Sequence, residues 1–274
     1  MKVVATATAI IALLAGAVQA QTMPPLPQAI QDAGVLRFGV KCDSPPFGFT
    51  GPDGQPVGVE VAMAKAIATY AFGSPDKAEL TCVTSDARIP SLNGGKIDLI
   101  LATLGKNPER EKVIDFSDHY FWGTSNIVVL KDSPIQKLAD LEGKTLLINK
   151  GGSQIRWFTA NMPAVNIMQL NTMADSVQAL LQGRADAYAG DGGPLAVLGS
   201  NNPELRVVEE GYDLGTSHIG VAKNAPELMA FVNAALKRLD DENFYPAAVN
   251  EYVEDPAVQG LMHKAFETQP PAAN

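Results

Sequence analysis

The sequence predicts an α/β protein built as two doubly wound lobes joined by a hinge that the chain crosses twice. Three observations carry that expectation. From Leu36 onward, strand-like apolar runs alternate with helical segments, the pattern of a parallel sheet with helices on its faces. The same order of elements then returns in the second half of the chain. Finally, "SLNGGKIDLILAT" matches "ALLQGRADAYAGD" within the sequence, so that Gly95 aligns with Gly183, Lys96 with Arg184, Asp98 with Asp186 and Thr103 with Asp191. A match this short also suits a shared helix-to-strand connector; taken with the repeated element order it indicates two similar lobes.

In the first lobe, "LRFGVKC" is an apolar, β-prone run and "VEVAMAKAIATYAF" has helical spacing. "AELTCVT" reads as a second strand, "DARIPSLNGG" as a short helix closed by glycine, and "IDLILAT" as a fully buried strand. The second lobe repeats the plan with "GKTLLINK", "SQIRWFTANM", "VNIMQL", "MADSVQALLQG" and "ADAYAGD". After "LRVVEE", the segment "SHIGVAKNAPELMAFVNAALKRL" reads as a strand leading into a long amphipathic helix. A first crossing is expected near Thr124–Asp132 and the return over Ser217–Lys223, which assigns residues 21–123 and 222–274 to lobe 1 and residues 124–221 to lobe 2. The final "ETQPPAAN" reads as a frayed tail.

The N-terminus bounds the compartment. Residues 1–20, "MKVVATATAIIALLAGAVQA", combine one lysine, an apolar run over 9–18 and a small-residue Val18-Gln19-Ala20 site, which reads as a cleavable signal peptide; an uncleaved signal-anchor is the alternative. The expected location is therefore the periplasm. A formal charge of −9 disfavours a sequence-independent grip on nucleic acid. Cys42 and Cys82, the only cysteines, admit one disulfide in an oxidising compartment, but the separation that decides it is not in the sequence. Metal binding by this pair lacks partners at ligand spacing, so neither metal nor cofactor is expected.

In open parallel sheets, ligands bind beyond the carboxyl ends of the strands. The polar residues expected there are Lys41, Arg88, Thr103, Arg110, Ser153 with Gln154, and Asp191. That inventory suits a small zwitterion. Arg110 offers a planar fork of donors to a carboxylate, Thr103 and the helix start at Ser153 add donors, and Asp191 accepts from an ammonium. The blander readings are a surface ion pair of Arg110 with Glu109 or Glu111, and helix caps at Ser153 and Asp191.

From about Leu36 to Met262 the chain resembles the amino-acid-binding periplasmic solute-binding proteins of ABC importers. "LRFGVKCDSPPFGF", "GQPVGVEVAMAKAIA", "DARIPSLNGGKIDLILAT", "NPEREKVIDFSDHYF", "GGSQ" and "GRADAYAGD" follow that family's pattern in order and spacing. The resemblance implies a type II periplasmic binding protein fold, a monomer that closes around its ligand, and ABC permease subunits in the inner membrane as partners. It implies Arg110 for the ligand α-carboxylate, Asp191 for the α-amino group, and Thr103 and Ser153 around the head. Lys41 and Arg88 resemble the cations of members that take aspartate or glutamate, which implies an acidic ligand. Gly105 stands where many relatives carry threonine or serine, leaving a backbone N–H in place of a hydroxyl. Asn107-Pro108 replaces a threonine-proline pair, and Ala62 replaces a usual acid.

Two other classes compete. A cleft enzyme such as a dehydratase would need an acid or base; His119, His218 and His263 are scattered without a nucleophile at motif spacing, and His119 reads as structural. A freestanding ligand sensor that docks on a membrane receptor is the third reading. The expectation is binding without turnover.

Overall fold

The structure, a computed structural model, describes residues 23–267. The signal peptide expected over residues 1–20 lies outside the described residues, as does the tail beyond residue 267. Among the described residues no helix is long and apolar enough to cross a membrane.

The first lobe opens with helix α1 (Gln28–Ala33) and strand β1 (Leu36–Val40), followed by a small antiparallel sheet of β2 (Asp43–Ser44), β3 (Gly48–Thr50) and β4 (Pro56–Val57). Helix α2 (Val59–Phe72), β5 (Ala78–Cys82), α3 (Arg88–Asn93) and β6 (Leu99–Gly105) complete its repeat. A one-turn helix α4 (Pro108–Glu111) leads into the long strand β7 (Ile114–Leu130). The second lobe runs β8 (Thr145–Asn149), α5 (Gln154–Asn161), β9 (Asn166–Leu170), α6 (Met173–Leu181), β10 (Ala187–Asp191), α7 (Gly192–Asn201) and β11 (Leu205–Val207). Strand β12 (Tyr212–Ala222) returns to the first lobe, where α8 (Pro226–Asp241), α9 (Phe244–Tyr252) and α10 (Pro256–Ala265) pack.

One sheet of nine strands runs through both lobes in the order β5-β1-β6-β12-β7-β10-β8-β9, with β11 on β7. Within it, β5-β1-β6 and β9-β8-β10 are parallel triplets of the same relative order, whereas β7 and β12 are antiparallel to their neighbours. These two strands are the hinge. Strand β7 pairs with β10 from Ser125 to Val128, which places this part of β7 on the second-lobe side of the sheet. Strand β12 pairs with β6 between Ser217 and Val221.

The inner strands β1, β6, β8 and β10 are covered on both faces, which is why they read as near-continuous apolar runs, whereas the edge strands β5 and β9 carry exposed residues. Side chains alternate by the two-residue strand period. Leu99 and Leu101 enter the core under α2 and α8, while Ile100, Ala102 and Leu104 enter the core with Leu92 of α3. In the second lobe Leu146 and Ile148 face Phe158 of α5, and Leu147 faces Ala179 and Leu180 of α6.

The internal match is structural as well. Gly95 and Gly183 adopt left-handed backbone with φ of 68° and 69°, a conformation that favours glycine. Asp98 accepts the Arg37 N–H at 2.9 Å, and Asp186 accepts the Thr145 N–H at 2.8 Å. Each aspartate thereby locks the strand it precedes to the first strand of its own lobe. Thr103 and Asp191, aligned in sequence, follow at the carboxyl ends of β6 and β10.

Candidate functional site

The carboxyl ends of both triplets face each other across the hinge and enclose a cavity of ≈ 50 Å³. Its walls include Lys41, Arg88 and Thr103 from the first lobe, and Ser153, Gln154 and Asp191 from the second. A neighbouring cavity of ≈ 230 Å³ shares Thr103, Ser153 and Asp191 and continues along the hinge strands past Gly105, Phe121 and Asp213. Six of the eight residues expected from sequence thus line one space, and Gly105 lines the adjoining one.

Arg110 lines neither cavity and instead ties the lobes together. It sits on α4, whose cap is Asn107: the Arg110 N–H donates to Asn107 Oδ1 at 2.9 Å. Asn107 thus satisfies a backbone donor at the start of this helix. The guanidinium donates from Nη1 to Gly105 O at 2.6 Å and from Nη2 across the cleft to Gly151 O at 2.8 Å. Neither of the blander ion pairs forms: Glu111 pairs with Lys106 at 3.0 Å. Burial lowers the basicity of Arg110, and Asp191 opposes that effect.

Asp191 is held rather than capping. Gln154 Nε2 donates to Asp191 Oδ1 at 2.8 Å and to Ser125 Oγ at 3.1 Å, and the Asp191 side chain makes no cap bond to α7. A buried amide thus fixes the carboxylate at the strand end. Ser153 has helical backbone and no side-chain cap bond, so its hydroxyl is left to the cavity.

The two other cations carry partners that the sequence reading lacked. Lys41 Nζ lies 2.8 Å from Asp43 Oδ1, with Lys41 only 5% exposed at its side chain. Asp43 Oδ2 also accepts the Met173 N–H at 3.3 Å, a second link between lobes. Arg88, 3% exposed, donates from Nη1 to Ala102 O and to Thr103 O, the latter at 3.3 Å. Burial drives its guanidinium down to about 9, Arg110 adds to the shift, and Asp191 and Glu60 oppose it. The acidic ligand was expected from the resemblance of Lys41 and Arg88 to the cations of other members; here Lys41 is ion-paired with Asp43 and Arg88 donates to backbone carbonyls.

Sequence reasoning missed Asp43, Ser85, Asn149 and Met173 in the cavity wall and Glu60 behind it. Asp43 carried a signal in being an acid two residues from Lys41 in the sequence. Glu60 carried another, an acid inside the apolar run "VGVEVAM". Cys42 and Cys82 form a disulfide with a Cα separation of 5.5 Å, which fastens the end of β1 to the end of β5 beside Lys41. Among the described residues no group of three metal-ligating side chains converges. His218 is buried, bonded to Thr216 Oγ1 and Ser117 O at 2.7 Å each, and His119 packs edge-on against Trp122, away from the cleft lining.

Comparison with known proteins agrees with this architecture. The family described as "Bacterial extracellular solute-binding proteins, family 3" matches residues 36–255. A glutamine-binding protein of Geobacillus stearothermophilus is 36% identical over 198 residues, covering 72% of this chain and 76% of its own. The ABC transporter glutamine-binding protein of Bacillus subtilis is 32% identical over 232 residues, covering 84% and 85%. Among solved structures, the solute receptor for L-cysteine of Neisseria gonorrhoeae superimposes with a TM-score of 0.79 at 31% identity, covering 84% of this chain and 97% of that one.

Proposed function

The chain belongs to the bacterial extracellular solute-binding proteins of family 3, and from that membership we propose that it captures one amino acid with a neutral polar side chain, best a carboxamide, between its lobes. The observation that carries the proposal is the Lys41–Asp43 pair in the cavity wall, 2.8 Å from nitrogen to oxygen. A carboxamide presents an acceptor and a donor on one carbon. It can accept from Lys41 and donate to Asp43 without adding charge, whereas a second carboxylate meets Asp43 as well as Lys41 and is penalised. The glutamine-binding relatives support the same choice.

At the other end, Arg110 receives the α-carboxylate by exchanging its bond to Gly151 O for a charge-assisted one. Asp191, set by Gln154, accepts from the α-ammonium. Thr103, Ser153 and the backbone at Gly105 complete the head site. We divide the lobes as residues 21–123 with 222–274 and residues 124–221, with β7 and β12 as the straps that let them open and close. The ligand stabilises the closed form by contacting both lobes at once. The closed monomer then delivers it from the periplasm to ABC permease subunits in the inner membrane, without turnover, cofactor, metal or nucleic acid.

Calorimetry of the purified protein against L-glutamine, L-asparagine, L-glutamate and L-cysteine tests the proposal. Tightest binding of an amide ligand supports it. Preference for L-glutamate returns the acidic reading, and consumption of a ligand on prolonged incubation points to a cleft enzyme.

A further inference from the structure

Glu60 takes no part in the ligand contacts proposed above and lines neither cavity. It is fully buried on α2, yet it reaches the one cleft residue that both cavities share from the first lobe. Its Oε1 accepts the Thr103 N–H at 2.8 Å and also the Tyr120 hydroxyl from hinge strand β7. Thr103 itself has a φ of 47°. A β-branched residue in that region is an outlier that persists only where its surroundings over-determine it. Here the peptide groups on both sides are held, the N–H by Glu60 and the carbonyls of Ala102 and Thr103 by Arg88.

We propose that Glu60 is a positioning residue for ligand recognition: it holds the Thr103 peptide in its left-handed conformation, presents Thr103 to the cleft, and so sets affinity without touching the ligand. The inference rests on the amino-acid-binding reading of the cleft. The groups that face Glu60 are Tyr120 on β7, Arg88 on α3, Asp191 at the end of β10 and the Thr103 amide on β6. Its Oε2 is buried without a hydrogen-bond partner, so a proton on that oxygen leaves both bonds to Oε1 in place. Burial pushes the carboxyl up to about 7, against the bonds from Tyr120 and Thr103 and the charge of Arg88. Across neutral pH the Thr103 amide therefore faces an acceptor whose charge changes.

The first arm of the test needs no ligand. The Thr103 amide is followed by proton–nitrogen NMR of the full chain from about pH 5.5 to about 8.5. The expected result is a titration with a midpoint near 7 in the unaltered protein and a flat response in Glu60→Gln. A Thr103 amide that ignores pH, or that titrates equally in Glu60→Gln, overturns the inference. The second arm measures L-glutamine affinity. Glu60→Ala is expected to weaken it about tenfold or more, and Glu60→Gln by no more than about threefold because its amide oxygen still accepts. In a Thr103→Gly background, Glu60→Ala should add less than about a twofold loss. Equal losses in both backgrounds assign Glu60 a general structural role and overturn the inference. Should Glu60→Ala not fold, the amide titration and Glu60→Gln decide. Absence of binding by the unaltered protein to every standard amino acid overturns the reading of the cleft and the affinity claim together, whereas normal binding with a silent amide overturns only the role of Glu60.

Discussion

The ammonium of Lys41 and the carboxylate of Asp43 lie 2.8 Å apart in the wall of the cleft. A cation with its counter-ion in place offers a dipole to a ligand, and a cation stripped of it offers a net charge. The first prediction follows from that difference. Asp43→Ala should shift preference from L-glutamine towards L-glutamate by about tenfold or more, because the exposed Lys41 charge then seeks a carboxylate. Calorimetric affinities of both ligands for both proteins check it; an unchanged ratio would show that the pair does not read the side chain.

Arg110→Ala should cost about 3–5 kcal/mol of ligand binding, since the buried α-carboxylate would lose its charged partner. Arg110→Lys should recover only part of that, as an ammonium cannot reproduce the planar fork. Near-normal affinity in the alanine variant would count against the head-site assignment.

Gly151 meets the first lobe so closely that a Cβ would lie 2.7 Å from the Asp86 backbone, and its φ is +74°. The backbone penalty acts in open and closed forms alike, but the clash arises only when the lobes meet. Gly151→Ala should therefore weaken ligand binding while each lobe stays folded. Small-angle scattering at saturating ligand is expected to show a larger radius of gyration than the unaltered protein; an identical radius and affinity would place the clash outside the closing motion.

Glu60 makes stability depend on pH in a definite direction. Its carboxyl is raised from an ordinary 4.5 to about 7, so between those values the folded chain binds more protons than the unfolded one. Stability from this group is full below the lower value, falls as pH rises through the window, and levels off above about 7. Glu60→Gln removes that dependence. The melting temperature of the variant relative to the unaltered protein should rise from about pH 5 to about pH 8, and a constant difference would show that Glu60 is ionised throughout.

Much of this fold was legible because its signals are local. The helix expected over "VEVAMAKAIATYAF" is α2, Val59–Phe72, and the match of Asp98 with Asp186 proved to be one strand-locking bond made twice. The strand-end rule placed Lys41, Arg88, Thr103, Ser153, Gln154 and Asp191 around one cavity. Three kinds of information were missing. The two- and three-residue strands β2, β3 and β4 are too short to carry a period. The ion pair of Lys41 with Asp43 depends on local backbone geometry that a list of cations does not carry. Glu60 and Tyr120, 60 residues apart, meet only through the packing of α2 against the hinge strand.

The most direct test of the account is calorimetric titration of the purified protein with L-glutamine, alongside L-glutamate and the Arg110→Ala variant. Saturable binding of one L-glutamine per chain is expected, about tenfold or more tighter than L-glutamate and lost in Arg110→Ala. Silence with L-glutamine, or binding that survives removal of Arg110, would contradict it.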